Sequence, residues 1–118
     1  MPKEVGDTVH PWYKGVHEWR VKKIAKLASS IEYRDAEQGE VRYDPKIMLL
    51  ESKSIGEVIW FPYWISTKKA RGKMRWGGGS SMLEEKVLVQ LMTEAMKQGM
   101  FSNQFLKTLQ EEIQAKLG

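Results

Sequence analysis

Lys68, Lys69, Arg71, Lys73 and Arg75 stand beside Trp76, with no acidic residue between Glu57 and Glu84. Trp60, Tyr63 and Trp64 lie just upstream. Single-stranded nucleic acid is held by cations that track phosphates and by rings that stack on bases, so the residue types suit that chemistry. Residues 52–83 hold six basic side chains and one acidic one, while the whole chain has a net charge of only +4. A local field of this kind attracts a polyanion at range better than scattered charge does. The plainer alternative is a lysine-rich hairpin that protects an edge strand, with its tryptophans in the core.

Directly after Trp76 come Gly77, Gly78, Gly79, Ser80 and Ser81. A glycine-rich loop running into a helix N-terminus presents free backbone N–H groups and the positive end of the helix dipole, an arrangement that binds anions. The Gly-Lys-Ser/Thr ending of a Walker loop is absent, and Glu84 and Glu85 would repel the anion. The alternative is a connector of flexible composition.

Other reactive residues are sparse. His10 and His17 are two histidines where a histidine metal site needs three or four convergent ligands. Glu32, Asp35, Glu37, Glu40 and Asp44 cluster in sequence. Carboxylates can do acid–base work or hold magnesium, but these sit in a polar, turn-rich stretch. With no cysteine, thiolate metal sites, disulfides and thiol catalysis are excluded. No Ser-His-Asp set or nucleophile elbow appears. No metal, cofactor or catalytic residue is assigned, though a site assembled from distant residues is left open.

The last third carries a different signal. Met92, Met96, Met100 and Phe101 are soft or aromatic side chains suited to an adaptable partner interface, although core packing would use them equally well. "AMKQGMFSNQFLKTL" faintly echoes helix-turn-helix spacing, with Ser102, Asn103, Gln104 and Lys107 toward a groove. Gln98, Glu111 and Glu112 argue against it.

The elements that must position these groups follow from periodicity. Residues 1–15 hold Pro2, Gly6, Pro11 and Gly15 and read as an extended segment. Val16, Trp19, Ile24, Leu27, Ala28 and Ile31 recur at three- and four-residue steps, which predicts an amphipathic helix over 16–30 from which Val21 deviates. Residues 40–76 read as β-rich. "VRYDPKIMLLES" is one strand interrupted by Pro45 or two short pieces. "IGEVIWFPYWIS" is the strongest strand signal, apolar enough for burial on both faces, with Pro62 at an edge or bulge. "TKKARG" suits a hairpin loop before a strand "KMRW". Residues 77–81 are the Gly/Ser connector. Residues 82–117 predict a helical hairpin, with a capping box at "SMLE" (81–84), a glycine stop at Gly99 and a restart near Ser102. Phe105, Leu106, Leu109, Ile113 and Leu117 line the second helix.

At 118 residues, 42% hydrophobic and 29% charged, the chain predicts one soluble domain, 1–118. "VIWFPYWI" (58–65) is too short to cross a bilayer as a helix, so a cytoplasmic protein without a membrane partner is expected. The expected fold is α+β: an N-terminal helix, a small antiparallel sheet of about three strands, and a C-terminal helical hairpin packed on it. The leading function is non-enzymatic nucleic-acid binding through 68–76. The alternative is a small accessory subunit that forms a homodimer, or docks on a larger protein partner, through its Met-rich helices.

Overall fold

A computed structural model describes residues 3–67, 75–76 (backbone) and 82–118. The architecture is α+β, but it departs from the expected fold in three respects. No N-terminal helix occurs among the described residues. The described residues form seven strands: β1 (Thr8–Val9), β2 (Trp19–Lys26), β3 (Ile31–Asp35), β4 (Gly39–Ser52), β5 (Gly56–Trp60), β6 (Tyr63–Thr67) and β7 (Arg75–Trp76). Two helices follow, α1 (Glu85–Lys97) and α2 (Asn103–Leu117), and they do not form the packed hairpin.

The predicted helix at 16–30 is replaced by β2 and the turns around it. Trp19 and Val21 are buried while Arg20 and Lys22 are exposed, the period-two pattern of a strand. The register then slips: Val21 pairs with Leu50, but Lys23 pairs with Leu49. This bulge adds one residue to β2. It turns a step of two into a step of three, so Val21 and Ile24 share one face while Ala25 reaches the other. The sequence therefore imitates a helical repeat across a strand irregularity.

β4 organises the sheet. Its N-terminal half pairs with β3 and β6, and its C-terminal half with β2 and β5, all antiparallel. β5 and β6 hold one register along β4, since Trp60 pairs with Met48 and Tyr63 with Pro45. They are separated by Phe61 and Pro62. Proline has no N–H to give a ladder, but the Pro62 carbonyl still accepts from the Lys46 N–H at 2.9 Å. β1 extends the sheet beyond β2, and β7 extends it beyond β6.

The strand buried on both faces is β4 rather than the more aromatic 56–66 segment. Ile47 and Leu49 face a core completed by Ala25, Val87, Leu91, Ala95 and Met100. Met48 and Leu50 face a second core with Val9, Trp19 and Val21. Both hairpins bounding β4 are built alike. Asp35 Oδ1 accepts from the Glu37 and Gln38 N–H groups at 2.8 and 2.9 Å, and the return strand opens at Gly39 with φ 76°. Ser52 Oγ accepts from the Ile55 N–H at 3.1 Å, and the return opens at Gly56 with φ 96°. A side-chain acceptor starts each three-residue loop, and a glycine takes the left-handed conformation at its end.

Candidate interaction surface

Helix α1 covers one face of the sheet by packing on β2 and β4. It starts later than the capping box predicts: Glu84 is the N-cap, with no side-chain cap hydrogen bond, and Ser81 lies outside the described residues. Its end matches the expected glycine stop. Gly99 has φ 68°, its N–H donates to the Met96 carbonyl, and the Met100 N–H donates to the Ala95 carbonyl, both at 3.0 Å. This pair of bonds is a Schellman ending. Met100 is buried and Phe101 packs against the same core, so the chain is anchored just beyond the helix.

The apolar arc of α1 is wider than the sheet uses. Val87, Leu91 and Ala95, at four-residue steps, are its buried residues. One residue round the helix, Leu88, Met92 and Met96 form a second four-residue stripe. Met92 is half-buried at the edge of the core, whereas Leu88, Val89 and Met96 are exposed.

Helix α2 begins with a made cap, the Ser102 Oγ accepting from the Phe105 N–H at 3.1 Å. Phe105 also meets Phe101, with ring centroids 4.9 Å apart. Beyond that point, α2 packs against no other helix or strand among the described residues, and it has no buried residue. Phe105 (44%), Ile113 (48%) and Leu117 (81%) remain open to water, on the same stripe as Leu106 and Leu109. A helix-turn-helix unit needs its two helices packed together, so that reading has no basis here. The two helices were expected to bury each other's stripes; instead the anchored connection Gly99–Met100–Phe101 directs α2 away.

The four residues assigned to a partner interface therefore separate. Met96 is open, Met92 is half-covered, and Met100 and Phe101 belong to the core that anchors the connection. Among the residues expected to bind nucleic acid, Lys68, Lys69, Arg71 and Lys73 lie outside the described residues, as do Gly77, Gly78, Gly79, Ser80 and Ser81 of the expected anion loop. Arg75 and Trp76 form β7, where they pair with Ile65 and Trp64 of β6.

Two further features were not foreseen. Tyr13 and Val16 exchange both backbone hydrogen bonds at 2.9 Å around Lys14 (φ 48°) and Gly15 (φ 80°), a tight turn with two positive φ values. On it, Trp12, 72% exposed, stacks on His17 with centroids 4.2 Å apart. The His10 Nδ1 lies 2.9 Å from the His17 carbonyl. Lys14-Gly15 is not one of the usual two-residue hairpin pairs, and Gly15 was the one signal available. Separately, the connection between β2 and β3 opens a polar notch of about 560 Å³ lined by Lys26, Ser29, Ser30, Glu32, Arg42 and Asp44. Three of its charged groups already have partners: Lys46 Nζ donates to Asp44 Oδ2 at 2.9 Å, and Arg42 lies 3.9 Å from Glu32.

No group of three or more His, Asp or Glu side chains placed to hold a metal ion occurs among the described residues. No described helix is long and apolar enough to cross a membrane. No family model, curated protein or solved structure matches the chain.

Proposed function

We propose that the chain is a non-catalytic interaction subunit that acts as a homodimer through its C-terminal helices. The observation that carries this reading is α2, a 15-residue amphipathic helix that packs on no other described element. A helix of that length is marginal in water by itself, because most helical stability comes from packing an apolar face. Its stripe needs a cover. An exposed apolar surface of this kind marks a protein contact, and the adjoining stripe on α1 enlarges it.

Light scattering over a range of concentrations tests the proposal. The expected result is twice the 13.7 kDa chain mass, reduced to the single-chain mass by Ile113→Glu with the β-rich circular dichroism unchanged. A single-chain mass for the parent protein at all concentrations would reject it.

Nucleic-acid binding remains a second reading, supported by the antiparallel pairing of β6 with β7. That pairing sets Arg75 and Trp76 beside Ile65 and Trp64, and Lys68, Lys69, Arg71 and Lys73 lie between the two strands in sequence. Replacing Arg71, Lys73 and Arg75 together by glutamine is expected to abolish most oligonucleotide binding and flatten its salt dependence. Equal titrations for parent and variant would remove this reading.

A further inference from the structure

We infer that the dimer forms by reciprocal exchange: α2 of each copy lies antiparallel across the Leu88–Met92–Met96 stripe on α1 of the other. This rests on the homodimer reading and specifies its geometry.

Three observations support exchange. The first is complementarity. One chain carries two partly open apolar stripes with the same four-residue step, Leu88–Met92–Met96 on α1 and Phe105–Leu109–Ile113–Leu117 on α2. An antiparallel match sets Met96 beside Leu109, Met92 beside Ile113 and Leu88 beside Leu117, with the helix dipoles opposed. Both helices are mixed in charge, with Glu85, Lys86, Glu94 and Lys97 on α1 and Lys107, Glu111, Glu112 and Lys116 on α2, so no like-charge block opposes the pairing.

The second is the connection. Folding α2 back onto its own α1 would have to re-aim the chain at Phe101, which is packed against the core and holds the Phe105 ring at 4.9 Å. A second copy reaches the stripe without disturbing either contact.

The third is area. With Leu88, Met96, Phe105 and Ile113 a little under half open and Leu117 mostly open, α2 offers on the order of 400 Å² and the α1 stripe with the neighbouring Val89 about 300 Å². Pairing α2 only with α2 would leave the interface well short of the roughly 800 Å² per partner of a stable complex. Exchange uses both stripes on both copies and approaches that figure once flanking polar atoms are counted. A two-fold axis satisfies both contacts at once and closes the assembly at two chains.

The chain has no cysteine, so single-cysteine variants report cleanly. Met96→Cys and Leu109→Cys proteins are mixed and treated with a short bismaleimide; Leu88→Cys with Leu117→Cys provides an independent pair. The expected result is a cross-linked dimer in each mixture, several-fold more abundant than from any variant alone. A dimeric mass with cross-linking by Leu109→Cys alone and none specific to the mixtures would overturn exchange in favour of α2–α2 pairing, leaving the homodimer intact. A single-chain mass for every variant and for the parent would overturn both.

Discussion

The Lys23 ammonium donates to the Gln98 carbonyl at 2.8 Å, and the Gln98 side-chain amide donates to the Ile24 carbonyl at 2.8 Å. Two residues 75 positions apart thus fasten the middle of β2 to the C-terminus of α1, where the negative end of the helix dipole favours a cation. This clasp lies beside the β2 bulge and fixes the end of the helix from which α2 departs. Lys23→Met is expected to lower unfolding stability by about 1 kcal/mol, measured as a shift of the urea midpoint with unchanged slope. Gln98→Ala should have an effect of similar size. The Lys23 bond goes to the Gln98 backbone carbonyl, which alanine keeps, so each substitution removes a different bond and the double variant should come close to the sum.

Asp44 and Lys46 lie two apart on β4 and so on the same face. The Lys46 side chain is only 7% exposed and Asp44 19%. Removing one partner of a covered ion pair strands the other charge, whereas replacing both partners by apolar side chains of similar size removes the need for pairing. Asp44→Ala is therefore expected to destabilise by on the order of 3 kcal/mol, and the double variant Asp44→Leu with Lys46→Met by much less. Equal losses in chemical denaturation would show that the buried ammonium does not depend on Asp44.

The Asp35 carboxylate accepts from the Gln38 and Glu37 N–H groups, and these bonds hold its pKa below the ordinary aspartate value. Because the folded-state value is the lower one, this contribution to stability is complete above the unfolded-state pKa. It is lost as pH falls through the folded-state value. Asp35→Ala should thus weaken the β3–β4 hairpin at neutral pH, and the difference from the parent should vanish in acid. The amide shifts of Glu37 and Gln38, followed by NMR through an acid titration, should report a midpoint below that of an unstructured aspartate.

Much of the chain was legible for local reasons. Gly99 and Ser102 delimit the helices because a left-handed cap and a hydroxyl acceptor are written directly in the sequence. The first third was not, because the extra residue of the β2 bulge makes Val21 and Ile24 share a face at a step of three, as in a helix. The strand at the centre of the sheet was also misplaced. "VIWFPYWI" outweighs "IMLL" in aromatic content, yet only the pairing of β4 on both edges decides which segment is enclosed. The stripe on α2 was read correctly as apolar, but its partner was not, since periodicity identifies an apolar face and says nothing of what covers it. The exposed Trp12–His17 stack escaped notice because it depends on a two-residue turn that brings residues on either side of Lys14 and Gly15 together.

Hydrogen exchange at the amides of α2, measured across protein concentrations, tests most directly whether a second copy covers the helix. The account predicts that protection of residues 105–117 rises with concentration in step with the dimer fraction, while β4 exchanges at one slow rate throughout. Protection of α2 that stays the same from the most dilute sample to the most concentrated would contradict it.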